Sequence, residues 1–182
     1  NPEKLKREIA AVEKMLVESP SDEILADAIA RFQNIVLGYF FFNFESEAKA
    51  NLGENERYAG MEPMLASEVV VDMPEGKTLN DYPQLNKSFG MRSNYKLIND
   101  VGLHHGYFGN DADDDAINRW VTLVSNVDGH LMPSLSLLTA ARFLKRQIVV
   151  FFDNQGIENI SLISEEDNSE LKIPVDPRGV GR

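Results

Sequence analysis

The sequence predicts an α+β fold in which a helical N-terminal half packs on a small β-sheet formed mainly by the C-terminal third. Three observations predict it. The first fifty residues place apolar side chains at helical spacing. The stretch "MPSLSLLTAARFLKRQIVVFF" passes from a helical period into a continuous β-branched and aromatic run. And 182 residues, 43% hydrophobic and 26% charged, are enough for one buried core without staples. We read the chain as a single domain over 1–182, with a helical 1–52, a loop-rich 53–92 and a helix-and-strand 93–182.

Taking the elements in order, Leu5, Ile9, Val12 and Leu16 predict a first helix that stops at "ESPSDE". Ser19 as cap, Pro20 at the first helical position and Asp22 in the first turn then start a second helix. Its apolar positions, Ile24, Leu25, Ala28, Ile29, Phe32, Ile35, Val36, Tyr39 and Phe40, form a wide stripe and make it the central helix. From Leu52 to Gly90, glycine and proline punctuate short apolar pieces such as "EVVVDM", predicting loops, a short helix or two and one strand.

"SNYKLINDVG" reads as a helix capped by Ser93 and ended by a left-handed Gly102. Gly106 and Gly109 read as turns. "DDDAINRWVTLVSNV" gives another helix, with Ile117, Val121 and Val124 at spacings of four and three. The helix in "MPSLSLLTAARFLKRQ" shows Leu137, Ala140, Ala141 and Leu144 on one face, with Lys145 and Arg146 in its last turn. It feeds Ile148–Phe152, a strand buried on both faces. "ENISLI" and "LKIPV" complete three strands joined by "DNQG" and "SEEDNSE".

Several function classes are disfavoured. A formal charge of −11 argues against a phosphate-backbone partner, because nucleic-acid binding rests on clustered Lys and Arg. With no cysteine, the chain has no disulfide, thiolate metal ligand or cysteine nucleophile. This composition suits an intracellular, cytoplasmic setting. The longest apolar run, "IVLGYFFFNF", is about half of a membrane span and reads as buried core, so no membrane partner is expected. Asn1 in place of methionine, with no signal-peptide pattern behind it, reads as the start of a fragment of a larger protein.

"GLHHGYFGNDADDDAINRW" is the one stretch that suggests a metal. Asp111, Asp113 and Asp115 alternate as at the start of a calcium loop. Such a loop needs glycine sixth and glutamate twelfth, where this chain has Ala116 and Thr122. Adjacent residues on a regular backbone diverge, so His104 and His105 do not share an ion. The simpler reading sets Asp113, Asp114 and Asp115 at the positive end of the following helix. We expect no metal and no cofactor. No nucleophile elbow and no glycine-rich phosphate loop occurs either, and the third histidine, His130, stands alone.

One family resemblance arises on Gly129, His130, Leu131, Leu135, Leu138, Ala140 and Ala141, followed by Ile148 and Val150. This order, a glycine pair position, a small-residue helix and a strand of the form I-x-V, resembles the second half of ovarian-tumour type cysteine deubiquitinases over about residues 117–175. Overlaying the family's cysteine motif on "SDEILADAIA" sets Ala28 and Ile29 on its alanine and isoleucine, and Ile24 where cysteine belongs. No histidine follows the last strand. The resemblance therefore implies the fold and recognition of ubiquitin or a related protein, without hydrolysis, through Trp120 and His130. Read from the residues alone, Trp120 is a semi-buried aromatic and His130 a surface turn residue. The other reading is a non-enzymatic α/β protein-interaction module unrelated to ubiquitin.

Overall fold

A computed structural model describes residues 20–32, 34–109 and 120–181. The C-terminal third folds as its sequence predicts. Strands β9 (Arg146–Phe152), β10 (Ile157–Ser164) and β11 (Glu170–Ile173) form an antiparallel meander. Ile148, Val149, Val150 and Phe152 are all buried, so β9 is covered on both faces, which its β-branched and aromatic run requires. In the turn after it, the Asp153 carboxylate accepts the backbone N–H groups of Gln155 and Gly156 at 2.7 and 2.9 Å. At the far end, the Arg146 guanidinium donates to the carbonyls of Leu162 and Ser169 and to Ser169 Oγ, tying β11 to the meander.

Strand β2 (Val70–Asp72) joins this sheet in parallel, Val70 opposite Val149, giving the order β11-β10-β9-β2. The loop-rich segment thus holds a strand in "EVVVDM", set among short 3₁₀ turns such as Glu62–Ser67, and two further two-residue strands where a single strand was expected. Between Ser134, whose Oγ accepts the Leu137 N–H at 3.2 Å, and Lys145, left-handed at φ 54°, runs helix α4 (Leu135–Leu144). Leu137, Leu138 and Ala141 bury its inner face against Ile148, Val150, Ile160 and Leu162. Ala140 and Leu144, expected on that face, are exposed.

The first half departs from an all-helical reading. Helix α1 (Pro20–Arg31) stops well short of Phe40, and Val36–Phe41 is strand β1. Tyr39 and Phe41 are buried while Phe40 between them is 39% exposed, the period of two that a strand imposes. The aromatic and β-branched content of "IVLGYFFF" overrides a helical pattern that fits its apolar residues equally well. Helix α2 (Glu45–Asn51) follows, and then the short strands β3 (Lys87–Ser88) and β4 (Met91–Arg92). Helix α3 is only Lys96–Val101, without a side-chain cap, and Gly102 beyond it is extended at φ −72° rather than left-handed.

The next correction concerns residues 104–127. Strand β5 (His104–Phe108) runs through Gly106, which is therefore no turn, and pairs in parallel with β1. From Trp120 onward the chain is extended, as β6 (Val121–Thr122) and β7 (Val124–Val127), not helical. All four residues of β7 are buried, so its apolar run belongs to a covered strand. An Asp128–Gly129 turn with both residues at positive φ returns the chain into β8 (His130–Pro133). A last strand, β12 (Val180–Gly181), pairs with β6. The proposed first helix through Leu16, the Ser19 cap and Asp111–Asp115 lie outside the described residues.

The sheets meet edge to edge. A parallel bridge between Tyr107 and Ser134 links β5 to the end of β8, and the Val69 N–H donates to the Leu131 carbonyl at 3.1 Å, linking β2 to β8. Two apolar clusters result, one between α4 and the C-terminal sheet and one of aromatic and methionine side chains beneath β1 and β5. Among the described residues no helix is long and apolar enough to cross a membrane.

Candidate functional site

The parallel register of β1 with β5 sorts the residues around the two histidines. Val36 lies opposite His104, Gly38 opposite Gly106 and Phe40 opposite Phe108. Partners in a parallel pair share a face, so these six point toward α4. Leu37 with His105 and Tyr39 with Tyr107 point the other way. His104 and His105 thus diverge, as adjacent residues on a strand must.

Two glycines let α4 lie directly on the strands. A Cβ on Gly106 would stand 2.5 Å from Leu135 Cα and 2.8 Å from Leu135 N, and one on Gly38 would stand 2.8 Å from the Phe108 ring. The contact divides the face beneath the helix into two recesses. Thr139 and Phe143 line both of them.

The first recess, about 750 Å³, lies over the start of β1 and β5. Val36, Val69, Leu138, Ala141 and Ile148 form its apolar walls, while His104, Arg142, Lys145 and Gln147 bring polar groups to it. Burial, assisted by the Arg142 charge, pushes the His104 imidazole below its ordinary value, so it is neutral at pH 7. The second recess, about 930 Å³, lies over the strand ends. Phe40, Phe108, Val121, Leu135 and Phe143 line it together with small hydroxyl residues, and none of the described residues that line it is charged. Phe143 is 86% exposed and Phe108 51%.

On the opposite face His105 is wholly buried. Its N–H donates to Ser67 Oγ at 2.9 Å, but neither ring nitrogen makes a hydrogen bond. Desolvation pushes this imidazole down, opposed by the Asn99 backbone. The Tyr39 hydroxyl, also buried and without a partner, is pushed far up for the same reason. A Cβ on Gly102 would meet the Leu37 and His105 side chains, which explains that glycine better than a helix terminus does.

The two residues expected to contact a partner do not come together. Trp120, 39% exposed, precedes β6, whereas His130 lies at the far end of β7 across the Asp128–Gly129 turn. His130 Nδ1 is 3.0 Å from the Glu68 carboxylate, both side chains being partly exposed. A surface pair of this kind contributes little stability.

Among the described residues no group of three or more His, Asp and Glu side chains is placed to hold a metal. No described histidine ring is hydrogen-bonded to a serine hydroxyl, so no nucleophile is activated in the manner of a serine hydrolase. The sequence reading missed the α4 surface because Phe143 and Arg142 fall off the helix's apolar stripe and look like ordinary solvent-facing positions. The signal that could have found it is the glycine pair, Gly38 and Gly106, each followed by a Tyr-Phe pair in a strand-forming stretch. No known protein family, curated protein or solved structure matches the chain.

Proposed function

We propose that the chain is a non-enzymatic recognition module that binds an apolar segment of a partner protein in the groove between α4 and the ends of β1 and β5. The carrying observation is the exposure of Phe40, Phe108 and Phe143 around one recess whose described lining residues carry no charge. Folded chains rarely leave aromatic side chains contiguous and wet unless a partner covers them. A rim of Thr122, Ser136 and Thr139 hydroxyls supplies directional hydrogen bonds at little desolvation cost. The net charge of −11 steers association toward a basic partner, so the fitting occupant is an amphipathic segment with an apolar face and lysine or arginine on its flanks.

A specific observation favours a second reading, in which the partner is ubiquitin or a related protein. Its support is the order of small-residue helix and β-branched strand in α4 and β9, which resembles ovarian-tumour domains. The module is then a non-catalytic relative, since it has no cysteine.

One titration separates the two. The isotope-labelled chain is followed by NMR with a basic amphipathic peptide, with an acidic peptide of the same apolar face, and with ubiquitin. Shifts confined to Phe40, Phe108, Val121 and Phe143 with the basic peptide, lost in Phe143→Ser, support the groove. Shifts with ubiquitin at Trp120 or His130 support the second reading instead. Absence of any shift at millimolar concentration overturns both.

A further inference from the structure

We propose that the other recess beneath α4 is a binding site for a small organic carboxylate with an apolar body, held by Arg142 and Lys145. The chemistry follows from what each group does in the fold. Arg31, Lys49, Lys96, Lys172 and Arg178 each lie within 4 Å of a carboxylate. Arg146 is engaged by three hydrogen bonds to Leu162 and Ser169. Arg142 and Lys145, like Arg57, Lys77, Lys87 and Arg92, have no ion pair among the described residues, but of these six only Arg142 and Lys145 line this cleft. In a chain of net charge −11, two uncommitted cations on one recess form a local reversal of the field.

The recess also carries two carboxylates, Glu68, 3.0 Å from His130 Nδ1, and Glu165 on the exposed turn between β10 and β11; against Arg142, Lys145 and Arg146 they leave it one positive charge in excess. Arg142 in the last turn of α4 and Lys145, the left-handed cap residue three positions on, both stand at the helix's C-terminal end.

The rest of the recess defines the ligand's other half. Val36, Val69, Leu138 and Ile148 wall a volume of about 750 Å³, within the range of small-molecule sites. A bare inorganic anion leaves these walls uncovered, whereas an aryl or branched alkyl carboxylate covers them while its oxygens meet the planar guanidinium fork. His104, neutral and beside Arg142, adds one uncharged donor or acceptor at the junction of the two halves. This site meets the aromatic groove only at Thr139 and Phe143, and it stands whether or not the groove binds a protein.

Titration of the whole chain with benzoate, benzamide and inorganic phosphate, followed by calorimetry and by the His104 ring resonances, tests it. Benzoate is expected to bind and to raise the pH at which His104 titrates, since a bound anion offsets the Arg142 charge. Benzamide, of the same shape without charge, is expected to bind at least about tenfold more weakly. Arg142→Gln is expected to cost a similar factor, with Arg142→Lys falling between, and Phe108→Ser, which opens only the aromatic groove, is expected to leave binding unchanged. The proposal is overturned if benzoate shifts no resonance of the recess, if phosphate binds as tightly as benzoate, or if Arg142→Gln, shown folded by its NMR spectrum, binds benzoate as the parent does.

Discussion

The two faces of the β1–β5 pair use neighbouring residues to opposite ends. Below, Tyr39, Phe41 and Tyr107 pack with methionines in a dry layer, the Phe41 and Tyr107 rings stacked 4.7 Å apart. Above, Gly38 and Gly106 bring α4 down onto the strands at one point and leave open recesses on either side of it. His105 belongs to the first face and His104 to the second. One step along a strand therefore separates a side chain that only fills space from one placed to meet a ligand, and residue type alone tells nothing of which is which.

The comparison is broken most severely at Gly106. Gly106→Val sets branched carbon against the Leu135 backbone, which cannot move without lifting α4, and is expected to destabilise the fold by about 3 kcal/mol, read from denaturant unfolding. Both recesses should be lost with it.

Acid is the next lever, and it acts mainly on the lower face. His105 titrates below the ordinary histidine value near 6.5 because burial disfavours its charged form. The unfolded chain then binds the proton more readily than the folded one. Stability is full above that pH and falls as pH drops through and below it, by at most about 2 kcal/mol at pH 5, the limit for a ring that stays neutral in the fold. His105→Leu is expected to flatten this dependence. Equal acid sensitivity in His105→Leu and the parent would show that the buried face does not control it.

A smaller effect sharpens the role of α4 as the divider. Ser134→Ala removes the hydroxyl that caps the helix and is expected to cost about 1 kcal/mol. The smallest effect is the most telling for function: Phe143→Ser, at a position 86% exposed, should leave thermal stability within about 0.5 kcal/mol of the parent while abolishing peptide binding in the groove. A large stability loss there would make Phe143 a core residue and remove the reason for the groove.

How much of this was legible depended on how strongly local chemistry and burial agreed. In β9 and α4 they agree: the β-branched run is buried, the serine caps, and a basic residue ends the helix. In β1 they compete, because Val36, Tyr39 and Phe40 satisfy a helical stripe as well as a strand, and only parallel pairing with β5 decides. The same holds for "VTLVSNV", where spacings of three and four coincide by chance with a fully buried strand. The candidate site was less legible still. It arises from Gly38 and Gly106, sixty-eight positions apart and opposite each other only in the folded register, and from Arg142 and Phe143, whose environment is set by residues far away in the chain.

That distance has a kinetic side. The meander β9–β10–β11 joins neighbours and can form early, but β2 reaches β9 across seventy-nine residues, Val70 to Val149. Contacts of that span form late and slowly, since the loop must close before the pairing stabilises it. The walls of the charged recess come from residues 34–36, 66–70, 104, 138–148 and 165, so it is complete only once these long-range pairings are made. A ligand that binds there engages only chains whose long-range pairing is complete, and it slows their unfolding rather than speeding their folding.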